Sequence, residues 1–194
     1  MREIFPTPES FERAEAIRLM KKLVEYNEVL SGDAATAEVL GNGFVVDGQE
    51  VDPKQWVIDR IQYFLSLDRF KVTDEQAIEA YSKGAKDLSW RIAEDWQNAH
   101  KLHLDLIYLQ QGSETLERES VEYSIRQAIV YYKAGRIAGI ERYIDYAISF
   151  VVDVQDVAGS PIFEGTGLYE QATTLLDSMR KGEDLRFGIG NLWN

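Results

Sequence analysis

Hydrophobic side chains recur every three or four residues through most of the chain, which is the spacing of one face of an α-helix. The first such series begins after Thr7-Pro8, a capping residue followed by a proline suited to a first turn, and ends at Ser31-Gly32. Its apolar positions are Phe11, Ala14, Ile17, Met20, Leu23, Val24 and Leu30. The pattern predicts an amphipathic helix, followed by a second, short helix from Asp33 through Leu40.

Residues 44–51 follow a different pattern. β-Branched and aromatic residues stand on either side of Asp47-Gly48, which is typical of a two-residue hairpin turn. We therefore predict one small β-hairpin near residues 44–51, the only β-structure expected in the chain. An isolated hairpin is marginally stable in water, so this one needs to pack on helices or on a partner.

Two helix starts follow the hairpin, at Asp52-Pro53 and at the capping box Thr73-Asp74-Glu75-Gln76. From Asp74 to Gln110 no proline interrupts the helical pattern, which predicts one helix about 55 Å long, with Gly84 as a place where it can kink. Its apolar face comprises Ile78, Tyr81, Ala85, Leu88, Ile92, Ala99, Leu102, Leu106 and Leu109. A rod of this length suggests an elongated bundle or a helix that meets another subunit.

The C-terminal third contains further helices. Two apolar series on either side of Gly135–Gly139 do not share a register, so we expect a break or kink there; a continuous helix is the alternative. A last amphipathic helix begins near Leu168 and stops at Gly182. The prediction is an all-α fold: an elongated bundle of about six helices, two of them long, with one small β-hairpin near residues 44–51.

Residues 1–182 are expected to form a single helical domain and residues 183–194 a C-terminal tail. The tail has no helical period but carries large apolar side chains among glycines. Chain ends are usually polar, and aromatic side chains dominate the energetics of interfaces. The residues expected to contact a partner are Phe187, Ile189, Leu192 and Trp193. The alternative is that the tail folds back on its own bundle.

Composition narrows the function classes. The chain has 194 residues, 33 of them acidic and 21 basic, a net charge of −12 and no cysteine. The missing cysteine excludes a disulfide framework and cysteine-ligated zinc or iron–sulfur sites. An acidic chain without a basic cluster is a poor partner for nucleic acid or anionic membranes. No apolar run is long enough for a membrane helix or a secretion signal, so we expect a location in the cytoplasm or within a viral particle.

The predicted long helix carries the first candidates for chemistry. His100 and His103 lie at i and i+3 and can share a metal; the alternative is an ordinary surface pair. Asp95 occupies a core position of the apolar series, and a buried carboxylate must be paired or neutralised. Three interpretations of Asp95 follow: a metal ligand or general base, an ion pair with an arginine from a neighbouring helix, or an exposed residue where the series drifts.

Four later carboxylates form the most enzyme-like pattern, namely Glu119, Glu122, Glu141 and Asp145. On two antiparallel helices such a set can hold Mg²⁺. The pattern is similar to that of the all-α nucleotide pyrophosphohydrolases, which combine a paired Glu motif with a later Glu-x-x-Asp; here the second half is longer by one residue. That resemblance implies magnesium-dependent nucleotide hydrolysis. The alternative is that the four side chains belong to solvated helix faces.

No other pattern specifies a reaction, so no catalytic residue, metal ligand or cofactor is assigned. The expected function is a non-enzymatic structural or adaptor subunit that assembles with copies of itself or with other proteins. A connector-type subunit of a virus particle fits the long helix, the hairpin and the acidic surface. The magnesium-dependent hydrolase is one alternative, and an acidic regulatory protein that binds a basic partner is another.

Overall fold

The computed structural model describes residues 8–31, 37–40, 43–84 and 88–185, which form seven α-helices and one small sheet. The elements in chain order are α1 (Pro8–Ser31), β1 (Ala37–Leu40), β2 (Gly43–Val46), β3 (Gln49–Val51), α2 (Pro53–Ser66), α3 (Asp74–Ser82), α4 (Leu88–Gln111), α5 (Ser113–Ala138), α6 (Glu141–Val157) and α7 (Leu168–Arg180). Short 3₁₀ turns lie at Asp68–Phe70 and Pro161–Phe163. The predicted all-α fold with a small hairpin is confirmed, with three helices of 24 residues or more where two were expected.

The sheet is larger than predicted. β2 and β3 pair antiparallel around Asp47 and Gly48, which have φ of 50° and 79°, so the hairpin near residues 44–51 is confirmed. β1 pairs antiparallel with β2 and completes a three-stranded sheet. The predicted short helix through Leu40 is therefore wrong at residues 37–40, while residues 32–36 lie outside the described ones. A strand at this position satisfies the second edge of β2, a requirement that the local residues do not reveal.

The single long helix predicted from Asp74 to Gln110 is wrong. α3 ends at Ser82 and α4 begins at Leu88, and between them Gly84 has φ of +73°, in the left-handed region that favours glycine. After this turn α3 packs against both α4 and α5. Folding back buries the apolar face of α3, which an extended rod would leave in water.

The starts of α2 and α3 agree with the predicted caps. The Asp52 carboxylate accepts a hydrogen bond from the backbone N–H of Gln55 at 2.7 Å. Thr73 and Gln76 form the reciprocal capping box. Each such cap satisfies backbone N–H groups that have no partner within the helix, a contribution of about 1 kcal/mol. Thr7, the predicted cap of α1, lies outside the described residues.

The break expected at Gly135–Gly139 falls at the end of that range. α5 continues to Ala138, and Gly139 turns the chain with φ of +68°. Gly135 is inside the helix, where an added Cβ would lie only 3.0 Å from the Ile140 carbonyl oxygen. The absence of a side chain at Gly135 therefore lets the start of α6 approach α5 closely.

The core has three parts, joined through α4 and α5. One apolar cluster lies between α1, α2, α4 and the sheet, a second between α5, α6 and α7, and a third between α3, α4 and α5, where Tyr143 from the start of α6 joins it. α5 contributes Val121, Ile125, Ala128, Ile129 and Tyr132 to the second cluster and Val130 and Ala134 to the third. α5 thus lies between two pairs of helices, with α3 and α4 on one side and α6 and α7 on the other.

Candidate functional site

A charged side chain lies inside the third core cluster. Asp74, the first residue of α3, is only 7% exposed. One carboxylate oxygen accepts a hydrogen bond from the indole N–H of Trp96 at 2.8 Å, and the other accepts bonds from Nε and Nη2 of Arg126 at 3.2 and 3.0 Å. A buried carboxylate needs such compensation because it has lost its hydration. This set of three side chains, the Asp74 network, fixes α3, α4 and α5 relative to one another.

His100 lies one turn beyond Trp96 on α4. Its Nδ1 is 2.9 Å from the backbone carbonyl oxygen of Trp96, and its ring stacks on that of Tyr123 with centroids 4.7 Å apart. A carbonyl only accepts hydrogen bonds, so in the neutral imidazole Nδ1 carries the proton and Nε2 is an acceptor. Burial lowers the pKa of His100 from its usual 6.5, so the ring is neutral at pH 7.

A cleft of about 280 Å³ opens beside this histidine, between α4 and α5. The residues that line this α4–α5 cleft are His100, His103, Leu104, Glu119, Glu122, Tyr123 and Arg126. The side chains of Glu119 and Glu122 make no ion pair or hydrogen bond with another residue in the described part of the chain. Arg126 is paired with Asp74. The two glutamates therefore lie in the cleft without a cation of their own.

The candidate metal ligands do not form a metal site. Among the residues that the structure describes, no three His, Asp or Glu side chains are grouped closely enough to hold a metal ion. Glu119 and Glu122 line the cleft with the two histidines, whereas Glu141 and Asp145 are exposed on α6 outside it. The geometry gives no support to the magnesium hydrolase or to a metal shared by the histidine pair.

Asp95 is buried, as its place in the apolar series predicts. One of its carboxylate oxygens accepts hydrogen bonds from Nε and Nη2 of Arg69 at 3.2 and 2.6 Å. The ion-pair interpretation of Asp95 is confirmed, although Arg69 belongs to the 3₁₀ turn at Asp68–Phe70 rather than to a helix. This pair accounts for the burial of the carboxylate without a metal-ligand or general-base role.

Three tyrosines lie near the same network. Gln97 Nε2 donates hydrogen bonds to the hydroxyl oxygens of Tyr81 and Tyr131 at 2.5 and 3.2 Å. The Tyr123 hydroxyl is buried and has no hydrogen-bond partner among the described residues. Burial raises the pKa of Tyr81 and of Tyr123 above the usual value of 10. These phenols therefore stay protonated and neutral at pH 7.

A second depression lies between α3 and the start of α4. This α3–α4 groove is about 560 Å³ in volume and is lined by Gln76, Glu79, Ala80, Lys83, Leu88, Ser89 and Ile92. Two of the lining residues, one helical turn apart, form what we call the α4 ridge: Leu88 and Ile92 are 73% and 41% exposed, whereas the exposed Trp90 lies on the other side of the helix. The two charged lining residues, Glu79 and Lys83, neutralise each other in an ion pair.

The C-terminal tail is described only at its beginning. The Tyr132 hydroxyl donates a hydrogen bond to the Glu183 carbonyl oxygen at 2.7 Å, and Leu185 packs against the second core cluster. The residues predicted to contact a partner, Phe187, Ile189, Leu192 and Trp193, lie outside the described residues. Their role stays a prediction.

Sequence analysis missed the Asp74 network and the α4 ridge. Arg126 did give a signal, because it stands between Tyr123 and Val130 in a second apolar stripe of α5, where a partly buried arginine needs a carboxylate. The sequence signal for the α4 ridge was misleading. Leu88 and Ile92 fit the apolar face of the predicted long helix, but the break at Gly84 ends that register and leaves both exposed.

No helix of the described residues is long and apolar enough to cross a membrane. Protein-family models, curated protein sequences and solved structures give no match to this chain. Its function is therefore proposed from the geometry of the ridge, the groove and the cleft.

Proposed function

We propose that this protein is a structural or adaptor subunit that associates with a second copy of itself. The α4 ridge carries the proposal, because Leu88 and Ile92 are exposed next to each other where they line the α3–α4 groove. Single exposed apolar residues are common on soluble proteins, whereas adjacent large ones beside a groove are typical of an interaction surface.

A second copy suits this surface because the ridge lies beside a groove. In a two-fold dimer one patch meets the same patch of its partner, so the ridge of each copy can face the groove of the other. Small residues, Ala80 and Ser89, line the groove and leave room for large side chains. The ion pair between Glu79 and Lys83 keeps the groove locally neutral, although the whole chain has a net charge of −12.

Leu88 and Tyr169 provide a test by light scattering. They are 73% and 53% exposed, and each lies in the first turn of a helix, where the helix dipole favours a glutamate. We expect the unaltered chain to be a dimer or larger. Leu88→Glu should weaken association by about tenfold or more, and Tyr169→Glu should leave it unchanged. A monomeric unaltered chain, or equal effects of the two substitutions, would contradict the proposal.

A chain that ends at Leu185 tests the tail separately. The end is placed there because the Glu183 carbonyl and the Leu185 side chain contact the helical core. If this truncation dissociates the assembly while Leu88→Glu does not, the tail holds the copies together and the ridge is not the interface. Membership of a viral particle, and a connector ring in particular, stays a prediction.

A further inference from the structure

We infer that the α4–α5 cleft binds an organic cation that carries N–H donors, that is, an ammonium or guanidinium group. The inference does not depend on self-association, because the cleft and the α3–α4 groove share no lining residue. It depends on an excess of hydrogen-bond acceptors and of negative charge in the cleft.

The acceptors come from both helices. α5 supplies the carboxylates of Glu119 and Glu122, which have no partner among the described residues. α4 supplies the His100 ring, whose Nδ1 is bonded to the Trp96 carbonyl and whose Nε2 is left as an acceptor. The cation of the cleft, Arg126, is compensated by Asp74. The uncompensated charge is therefore that of the two glutamates.

Other ligand chemistries fit this site less well. An anion would meet two carboxylates, and the arginine that would attract it already binds Asp74 through Nε and Nη2. A metal ion would need three ligands, and the described residues contain no such group. The volume of about 280 Å³ is just below the range of roughly 300–1,000 Å³ typical of pockets for drug-sized ligands, so it suits a single head group.

Two sources can supply this head group: a small free amine or guanidine, or a lysine or arginine side chain of a bound protein. Both present the same N–H donors and the same positive charge to the cleft. The experiment below therefore uses one probe of each kind, agmatine and an acetylated glycyl-arginyl-glycinamide peptide.

Nuclear magnetic resonance of the histidine rings gives a direct readout, because the chain has only 2 histidines and both line the cleft. We expect saturable shifts of the ring signals when agmatine or the arginine peptide is added to the full chain. The matching peptide with citrulline in place of arginine keeps the shape of the side chain but not its charge. It should produce no saturable shift.

A pair of double variants tests the two glutamates. Glu119→Gln/Glu122→Gln should weaken binding of both probes by about tenfold or more, since it removes both charges with little change in volume. Glu117→Gln/Glu164→Gln is the control, because it changes the net charge equally at two exposed positions outside the cleft. Circular dichroism checks that both variants keep the helical content of the unaltered chain.

Each outcome of these binding experiments either supports or overturns the inference of a cation site. Tighter binding of the peptide assigns the site to a protein partner, and tighter binding of agmatine assigns it to a free amine; either supports the inference. No saturable shift with either probe up to about 10 mM would overturn it. An equal response to the citrulline peptide, an equal loss in the control variant, or a response to Zn²⁺ but to neither probe would also overturn it.

Discussion

The two faces of α5 are packed in opposite ways. Toward α3 and α4, the helix places Arg126 against a buried carboxylate that also accepts from Trp96. Toward α6 and α7, the buried cluster consists of aliphatic and aromatic side chains together with Met179. The hydrogen bonds of the Asp74 network are directional and specify which helices meet. The packing of the apolar cluster depends instead on the shape and volume of its side chains.

This contrast shows where a site can be built on this scaffold. The polar face carries the acceptors of the α4–α5 cleft, and the apolar face keeps the helix that presents them in place. The polar face is sensitive to loss of charge and the apolar face to added volume. Substitutions on the two faces therefore test separate properties.

The largest effect is expected on the polar face, from Arg126→Met. This substitution keeps most of the aliphatic stem but leaves the Asp74 carboxylate buried with a single donor from Trp96. We expect the free energy of unfolding, measured in urea, to fall by about 2–3 kcal/mol, with the lower value favoured because Arg126 is partly exposed. Arg118→Met on the same helix removes an exposed ion pair with Glu114 and an exposed hydrogen bond to the Ile162 carbonyl oxygen, and should cost under about 1 kcal/mol.

The comparison between Arg126 and Arg118 has a further check. Adding Asp74→Asn to Arg126→Met removes the uncompensated charge and keeps an acceptor for Trp96, so part of the lost stability should return. Equal losses for the two arginine variants would show that the Asp74 network is no stronger than a surface pair.

A smaller effect is expected on the apolar face, from Gly135→Ala. An added Cβ would lie 3.0 Å from both the Ile140 carbonyl oxygen and Ile144 Cγ1, so α6 would have to move away from α5. We expect a loss of about 1–2 kcal/mol in the same urea experiment, even though alanine favours a helix more than glycine does. Gly159→Ala is the control, because its nearest neighbour would be at an ordinary 3.6 Å. A gain in stability for Gly135→Ala would show that this contact is loose.

The smallest effect is a dependence on pH at the edge of the polar face. Burial lowers the pKa of His100 and outweighs the hydrogen bond to the Trp96 carbonyl, which raises it; the charges of Arg126 and His103 lower the pKa further, and that of Asp74 raises it. Because the unfolded chain takes up the proton first, the free energy of unfolding falls as the pH drops below the unfolded pKa of 6.5, and His100 contributes no change well above it. His100→Gln should lose this part of the dependence when urea midpoints are compared at about pH 7.5 and about pH 5.5. Parallel midpoints for the two proteins would mean that His100 is accessible to protons in the fold.

Local signals predicted local structure. The caps at Asp52 and Thr73 were predictable because each involves a hydrogen bond to a residue three positions away. The end of α3 and the strand β1 were not, because they depend on packing against α5 and on pairing with β2. Gly84 allows a turn but does not require one, so residues 74–110 fit a continuous helix equally well until their neighbours are known.

The candidate site was predictable in part. Burial of Asp95 follows from the helical period, but its partner Arg69 is 26 residues away. The histidine and glutamate pairs lie at similar separations before and after Gly112, so an antiparallel pair of helices brings them face to face. Arg126 and Asp74 are 52 residues apart, and no local pattern joins them.

The position of α5 between two core clusters also bears on how the molecule folds. Removing this helix would expose the apolar faces of α3 and α4 and of α6 and α7 at the same time, and α4 in turn belongs to the cluster of α1 and α2. The helices on one side of α5 therefore cannot unfold while the core on the other side stays protected from water. The described helices should therefore form and lose their structure as one cooperative unit.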